Sequence, residues 1–252
     1  MIASFSDASV AIVIPTYNEA ANIQSLALEL LELPVQPHLV IVDDNSPDGT
    51  GHLADDLAAD NPGRITVIHR AEKQGLGRAY IHGLTEALDL GTDYIAQMDA
   101  DYSHRPQDLQ TMMNAAVISE ADLVLGSRYI PGGDTVGWPK HRLLISRFGS
   151  WYSGKVLGIP IRDLTGGFKV WRRELLSEID LPSIESDGYS FQIETTWRAW
   201  QRNADIEQVP VVFHDRVAGA SKLSRAVVFE AAWVVWKLRF GRDKSVNSVG
   251  SK

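Results

Sequence analysis

The chain has 252 residues, 44% of them hydrophobic, enough for one large α/β domain with a substantial core. It has no cysteine, which excludes disulfides, thiolate metal sites and a cysteine nucleophile and fits a reducing compartment. Its net charge of −8 is unevenly placed: residues 1–63 hold ten acids and no Lys or Arg, which argues against general nucleic-acid binding, whereas residues 216–252 hold eight bases against two acids, either for contact with a phosphate or a membrane surface or as a solvated charged tail.

Val10 to Pro15 (VAIVIP) is a continuous apolar run of strand length, as a strand buried on both faces requires. It runs into Thr16-Tyr17-Asn18-Glu19, where Asn18 is the expected N-cap of a helix reaching about Leu33. A second strand, His38 to Asp43, ends in the turn-rich segment Asp43 to Thr50, with a helix expected near Gly51–Asp60. Ile65 to His69 reads as the third strand. Gly75-Leu76-Gly77-Arg78 then opens a helix through about Leu90. This glycine pair follows no first-strand turn and lacks a third glycine, so it is not a dinucleotide fingerprint. It lets a helix start close to neighbouring backbone, and the helix N-terminus is available to face a diphosphate.

The fourth strand, from Tyr94, ends abruptly in Asp99-Ala100-Asp101. An extended chain puts residues i and i+2 on one face, so the two carboxylates aim at one point with backbones about 6–7 Å apart. Carboxylates that close repel unless a cation sits between them, and hard oxygen ligands suit Mg²⁺ or Mn²⁺, which completes its shell with water and substrate phosphates. The competing reading is a helix start, because Ser103 and Arg105-Pro106 look like caps of the next helix. Strand and helix alternate about every 30 residues, the pattern of a doubly wound, mostly parallel sheet. Ligands sit beyond the carboxyl ends of such strands. Three of those ends are polar here, Tyr17/Glu19, Asp43/Asp44 and Asp99/Asp101, and they are expected to converge on one crevice.

After a helix near Pro106–Ser119, Asp122 to Gly126 reads as a fifth strand ending in Ser127-Arg128-Tyr129. Pro131 to Pro139 is a glycine-rich loop carrying Trp138, of the kind that forms lids. Lys140 to Leu157 reads as an amphipathic helix. Arg162 to Lys169 leads into a short strand, Asp187 to Ser190 cap a further helix, and the last strand is expected near Glu207–Phe213. Gln192 and Glu194, two apart on that helix, do not share a face. Leu223 to Phe240 is an apolar helix with Trp233 and Trp236 beside Lys237 and Arg239, the pattern of a helix lying in a membrane interface; docking on the domain or on a partner is the other reading. No stretch has the roughly 20 apolar residues of a spanning helix, and MIASFSDASV lacks the basic and apolar regions of a signal peptide.

The motifs PTYNE (Pro15–Glu19), VDDNSPDGT (Val42–Thr50), GLGRAYIHG (Gly75–Gly83), MDADYSH (Met98–His104), GSRY (Gly126–Tyr129), DLTGGFK (Asp163–Lys169), DGYSFQIE (Asp187–Glu194) and DRVAGASKL (Asp215–Leu223) occur in this order. Together they resemble the polyprenol (dolichol) phosphate mannose synthases, family 2 glycosyltransferases of the GT-A fold, over about Ile12 to Leu223. The resemblance implies a single GT-A (Rossmann-like) α/β catalytic domain, residues 1–222, with a mostly parallel central sheet flanked by helices. It leaves 223–252 as an amphipathic helix and basic tail that docks on a membrane or partner.

The implied activity is inverting transfer of mannose from GDP-mannose to a polyprenyl monophosphate, with Mg²⁺ or Mn²⁺, on the cytoplasmic face of a membrane. By position, Pro15, Tyr17, Glu19, Val42 and Asp44 match residues that hold the base and ribose. Asp99, Ala100 and Asp101 match the metal and diphosphate site, and Arg128, Arg216 and Lys222 match cations that contact donor or acceptor phosphates. An integral membrane protein is an expected partner, and nucleic acid is not. UDP-glucose transfer to the same lipid is the near alternative. A non-catalytic nucleotide-sugar-binding subunit is the distant one, and it is disfavoured because the acids and cations of the motifs are all present.

Overall fold

A computed structural model of the chain describes residues 8–215 and 225–240. Its first half builds as the strand–helix alternation predicts: β1 (Val10–Thr16), α1 (Ile23–Leu31), β2 (His38–Asp43), α2 (Thr50–Asp60), β3 (Ile65–His69), α3 (Leu76–Asp89) and β4 (Tyr94–Gln97). Then follow α4 (Pro106–Ser119), β5 (Leu123–Ser127), β6 (Asp134–Val136), α5 (Lys140–Leu157), β7 (Lys169–Arg172), α6 (Arg173–Glu178), α7 (Gly188–Gln201), β8 (Ile206–Pro210), β9 (Val212–His214) and α8 (Arg225–Phe240). Seven strands form one sheet in the order β3-β2-β1-β4-β7-β5-β8. All neighbours run parallel except β7, which is antiparallel to β4 and to β5. This is the mostly parallel α/β sheet, flanked by helices, of the GT-A fold.

The apolar runs explain the layering. Every residue of β1 is buried. Its alternate side chains enter two cores, Ile12 and Ile14 on one face, Ala11 and Val13 on the other. Each fully buried aliphatic side chain contributes about 1.5–3 kcal/mol, so the strand is held from both sides. On the second face α3 lies close because Gly83 has no side chain: a Cβ there would collide with Val13 and Val42.

Three boundaries differ from the sequence reading. Asn18 is not an N-cap: it sits at φ 60° with its N–H on Ser46 Oγ at 3.0 Å, and α1 starts at Ile23 after a turn in which Glu19 O accepts the Asn22 and Ile23 N–H groups. The glycine-rich loop contains a strand, β6, paired parallel with β9. The single last strand is two. Val211 N–H still bonds to Ser127 O, after which the chain crosses to the small β6–β9 sheet. Among the described residues no helix is long and apolar enough to cross a membrane.

Candidate active site

The chain leaves β1 toward β2 and β3 on one side and returns to β4 on the other, so the strand order reverses between β1 and β4. A crevice opens outside the carboxyl ends of strands at such a reversal. The sequence places Tyr17 and Asn18 at the end of β1, and Asp99 to Asp101 just past β4. Asp99 is half-buried and Asp101 buried. The hydroxyl of Tyr80, fully buried on α3, donates to Asp99 Oδ1 at 2.7 Å. Burial and the neighbouring Asp99 raise the Tyr80 pKa well above its ordinary value, so the phenol keeps its proton and stays a donor. Asp99 N–H donates to Nδ1 of buried His104 at 3.3 Å. Burial lowers the His104 pKa against the pull of Asp99 and Asp101, which keeps the imidazole neutral with Nδ1 as acceptor. Ser103 N–H donates to Asp101 Oδ1 at 3.0 Å.

The helix-cap reading of this stretch holds in part, since Pro106 opens α4 with Arg105 as its N-cap. Ser103, however, does not cap with its hydroxyl. That hydroxyl is fully buried and has no hydrogen-bond partner among the described residues. No three His, Cys, Asp or Glu side chains gather around one point among the described residues. The candidate donors are therefore the two carboxylates, both hard oxygens. That set fits a Mg²⁺ or Mn²⁺ that takes its remaining ligands from water and a diphosphate.

On the β1–β2 side, β1 and β2 pair in register with Thr16 opposite Asp43. Asp43 is structural: it accepts Thr16 Oγ1 at 3.0 Å, Ser46 Oγ at 2.6 Å and Ser46 N–H at 3.0 Å. Asp48 ties the same turn by accepting Thr50 and Ala20 N–H groups. Asp44 is buried and paired through Oδ1 with Arg70, which also reaches Gln74 Oε1 at 3.0 Å. Burial raises the Asp44 pKa, and Arg70 offsets part of that rise. Tyr17 lies with Lys73 Nζ 3.4 Å from its ring centroid. Glu19 accepts Asn22 Nδ2 at 2.9 Å. Pro15 and Val42 are buried, and Val42 turns into the core against Gly83, so its side chain does not face the crevice. Ala100 is buried between the two acids.

The cations follow a different plan from the one read in the sequence. Arg128, buried at the end of β5, makes a two-pronged bond to Asp163: Nε to Oδ2 at 2.7 Å and Nη2 to Oδ1 at 2.6 Å, with Nη2 also on Thr165 Oγ1 at 2.9 Å. Burial pulls its pKa down, but Asp163 outweighs that and the net shift is upward. Arg142 pairs with Asp215 at 2.6 Å beneath the Trp138 ring, 3.9 Å from its centroid. Trp138 in turn meets Phe213 edge-on, and Phe213 meets His104. The loop read as a lid is thus pinned by Trp138 and β6. Arg216 and Lys222 lie outside the described residues.

The N-terminus of α3 does not face a ligand anion. Asp187 takes the Gly77 N–H with its own carboxylate, and a Cβ at Gly77 would come 2.9 Å from Ser186 O. The close approach expected of this glycine pair is therefore present, and the anion there is the protein's own. Tyr80 and Asp163, which hold Asp99 and Arg128, are residues that the sequence reading did not assign. Only the motif membership of each hinted at them, because their partners are distant in sequence.

Comparisons with known proteins give the family and the fold. Residues 11–180 match the glycosyl transferase family 2 profile. The chain is 43% identical over 236 residues to polyprenol monophosphomannose synthase of Mycolicibacterium smegmatis, covering 93% of this chain and 89% of that protein. It is 43% identical over 219 residues to undecaprenyl-phosphate mannosyltransferase of Micrococcus luteus, covering 87% and 89%. Among solved structures, glucosyl-3-phosphoglycerate synthase of Mycobacterium tuberculosis with Mn²⁺, UDP and glucosyl-3-phosphoglycerate superposes with a TM-score of 0.68 at 18% identity, covering 95% and 84%. The same enzyme with Mg²⁺ and UDP gives 0.68 at 19%, covering 97% and 85%. At that identity the likeness shows the fold. The profile match and the two relatives show the family: the chain belongs to glycosyl transferase family 2.

Proposed function

We propose that the protein transfers mannose from GDP-mannose to the phosphate of a polyprenyl monophosphate, with inversion, giving polyprenyl-phosphate mannose and GDP. The observation that carries this reading is the Asp99/Asp101 pair at the strand-order reversal, with Tyr80 bonded to Asp99 Oδ1 and the Ser103 N–H to Asp101 Oδ1. The names of the two 43% identical relatives supply the sugar and the lipid class. A bound Mg²⁺ or Mn²⁺ would neutralise charge developing on the departing diphosphate. Tyr80 holds one Asp99 oxygen, which sets the direction of the other. An acceptor phosphate oxygen forms the new bond to the anomeric carbon as the bond to the diphosphate breaks, and the electron pair leaves with GDP. The acceptor arrives ionised, so no general base is required. Arg216 and Lys222 are the cations proposed to bring the two anions together.

Support for a lipid acceptor comes from α5 and α8. Leu144, Phe148 and Trp151 on α5, and Trp233, Trp236 and Phe240 on α8, are exposed by 46–72%. The two helices join through Trp236 Nε1 on Tyr152 OH at 2.6 Å. Beside them α5 exposes Lys140, Arg147 and Lys155, and the helix contains no acid. Aromatics beside cations suit an anionic bilayer surface. We place the protein as a peripheral protein on the cytoplasmic face, residues 1–222 catalytic and 223–252 docking, with an integral membrane protein as a further partner.

Labelled mannose transfer from GDP-mannose to polyprenyl phosphate, with Mg²⁺, Mn²⁺ or EDTA, tests the reading alongside Asp101→Ala and a UDP-glucose control. Mannolipid formed only with metal and lost in the variant is the expected result. Glucolipid alone moves the donor to UDP-glucose. Nucleotide binding with no product from either donor points to a missing membrane partner or to a subunit that only binds.

A further inference from the structure

On α7 the two polar residues of the Phe191-Gln192-Ile193-Glu194 run have opposite fates. Glu194 is consumed internally: Arg198 donates to it at 2.6 and 2.9 Å, and Ser186 Oγ donates to its other oxygen. The backbone of Gln192 is held just as firmly, its carbonyl accepting Lys169 Nζ at 2.8 Å and Thr196 Oγ1 at 3.0 Å. Its side chain is not. Gln192 is 3% exposed, and its Oε1 has no hydrogen-bond partner among the described residues. An unpaired buried amide oxygen costs about 1–3 kcal/mol, and an apolar side chain of similar size would avoid that cost.

Where the amide lies gives it a use. A Cβ built on Gly167 would sit 3.3 Å from Gln192 Nε2 and 3.9 Å from Asp99 Oδ2. The amide and the Asp99 oxygen that Tyr80 leaves unengaged therefore both lie beside Gly167, the first in tight contact with such a Cβ and the second at ordinary van der Waals distance. Rotation about the last side-chain bond exchanges the amide's two ends, so it can present either an N–H or a carbonyl to a ligand. A carboxylate there would be within reach to take a proton from water, whereas an amide has no basicity to offer at neutral pH.

We propose that Gln192 is a further substrate-contacting residue, whose neutral amide hydrogen-bonds the sugar of the bound donor beside Asp99 without activating water as a competing acceptor. The proposal rests on reading the site as a sugar-nucleotide site. It assigns the orphaned amide to the step in which the leaving diphosphate and an already ionised acceptor meet. With a carboxylate in its place, a water oxygen would bond to the anomeric carbon as the carboxylate took its proton and the nucleoside diphosphate departed, which is hydrolysis of the donor.

The test uses the full chain with Mn²⁺, and measures GDP-mannose and GDP binding by calorimetry, melting temperature, and acceptor-free GDP release. Gln192→Met is expected to melt no lower than the unaltered protein, because it removes an unpaired polar group. It should bind GDP-mannose about tenfold more weakly while binding GDP equally well, as loss of a hydrogen bond to the sugar alone would give. Gln192→Glu is expected to raise acceptor-free hydrolysis by about a hundredfold, the low end of general-base catalysis. Unchanged GDP-mannose affinity in Gln192→Met, or unchanged hydrolysis in Gln192→Glu, overturns the proposal. If the unaltered protein itself binds no nucleotide sugar, the functional reading fails instead, so the two failures are told apart.

Discussion

Arg128 and Asp163 leave water together, with 4% and 0% of their side chains exposed. Such a pair is worth little relative to an apolar replacement, but breaking it strands a charge. Asp163→Asn is therefore expected to lower unfolding free energy by about 3–5 kcal/mol in urea titrations, whereas a surface pair such as Arg105–Asp108, whose arginine is half exposed, would give under about 1 kcal/mol. Lys169 is the other buried cation, its Nζ bonded to Gln192 O and Thr195 Oγ1 at 2.8 Å each. Burial lowers its pKa well below the usual lysine value. Between that depressed value and the unfolded one, near 10.4, the unfolded chain binds the extra proton, so stability rises with pH. The unfolding free energy of the native protein minus that of Lys169→Met should accordingly increase from pH 7 to pH 9.5, by no more than about 1.4 kcal/mol per pH unit. A flat difference would mean the amine is charged in the fold. None of this was visible in DLTGGFK, because burial of a lysine is decided by what packs over it.

Helix termini and helix faces show where element-level reading succeeds and stops. The glycine pair before α3 signals close backbone approach, and Gly77 meets α7 as that signal implies. Which anion fills the helix N-terminus depended on Asp187, 110 residues away in sequence. For α5 the predicted bounds and the observed ones coincide. Its amphipathic pattern marked an apolar face but not whether that face would be covered. In the structure Phe148 and Trp151 are 60% and 58% exposed and pack on each other at 5.7 Å. The double substitution Phe148→Ser and Trp151→Ser should leave the melting temperature within a degree or two and cut co-sedimentation with phosphatidylglycerol vesicles by about tenfold or more, as withdrawal of two inserted aromatics requires. Equal partitioning of the two proteins would remove α5 from the docking surface.

At the scale of the molecule, one reversal of strand order organises the site. β1 sits between β2 and β4, which places the acids after β4 at the crevice and brings the β2 end, with Asp44 and Arg70, alongside. The antiparallel β7 between β4 and β5 then carries Gly166-Gly167 and Lys169 under the crevice, where Gly167 lies near Asp99 and Lys169 supports Gln192. On the proposed function, the basic last segment of the sequence is the part that meets an anionic acceptor or surface.

By itself the sequence determined what local pattern can determine. Continuous apolar runs at regular spacing specify a buried, mostly parallel sheet, because that follows from backbone geometry a few residues long. The tertiary structure decided the partners. Arg128 was read as a cation for phosphates and is held by Asp163; the Trp138 loop was read as a lid and is pinned by Arg142, Phe213 and β9; Gln192 was set aside and lies beside Asp99. Each of these depends on contacts between residues far apart in sequence, whose free energy comes from burial and pairing that no local pattern encodes.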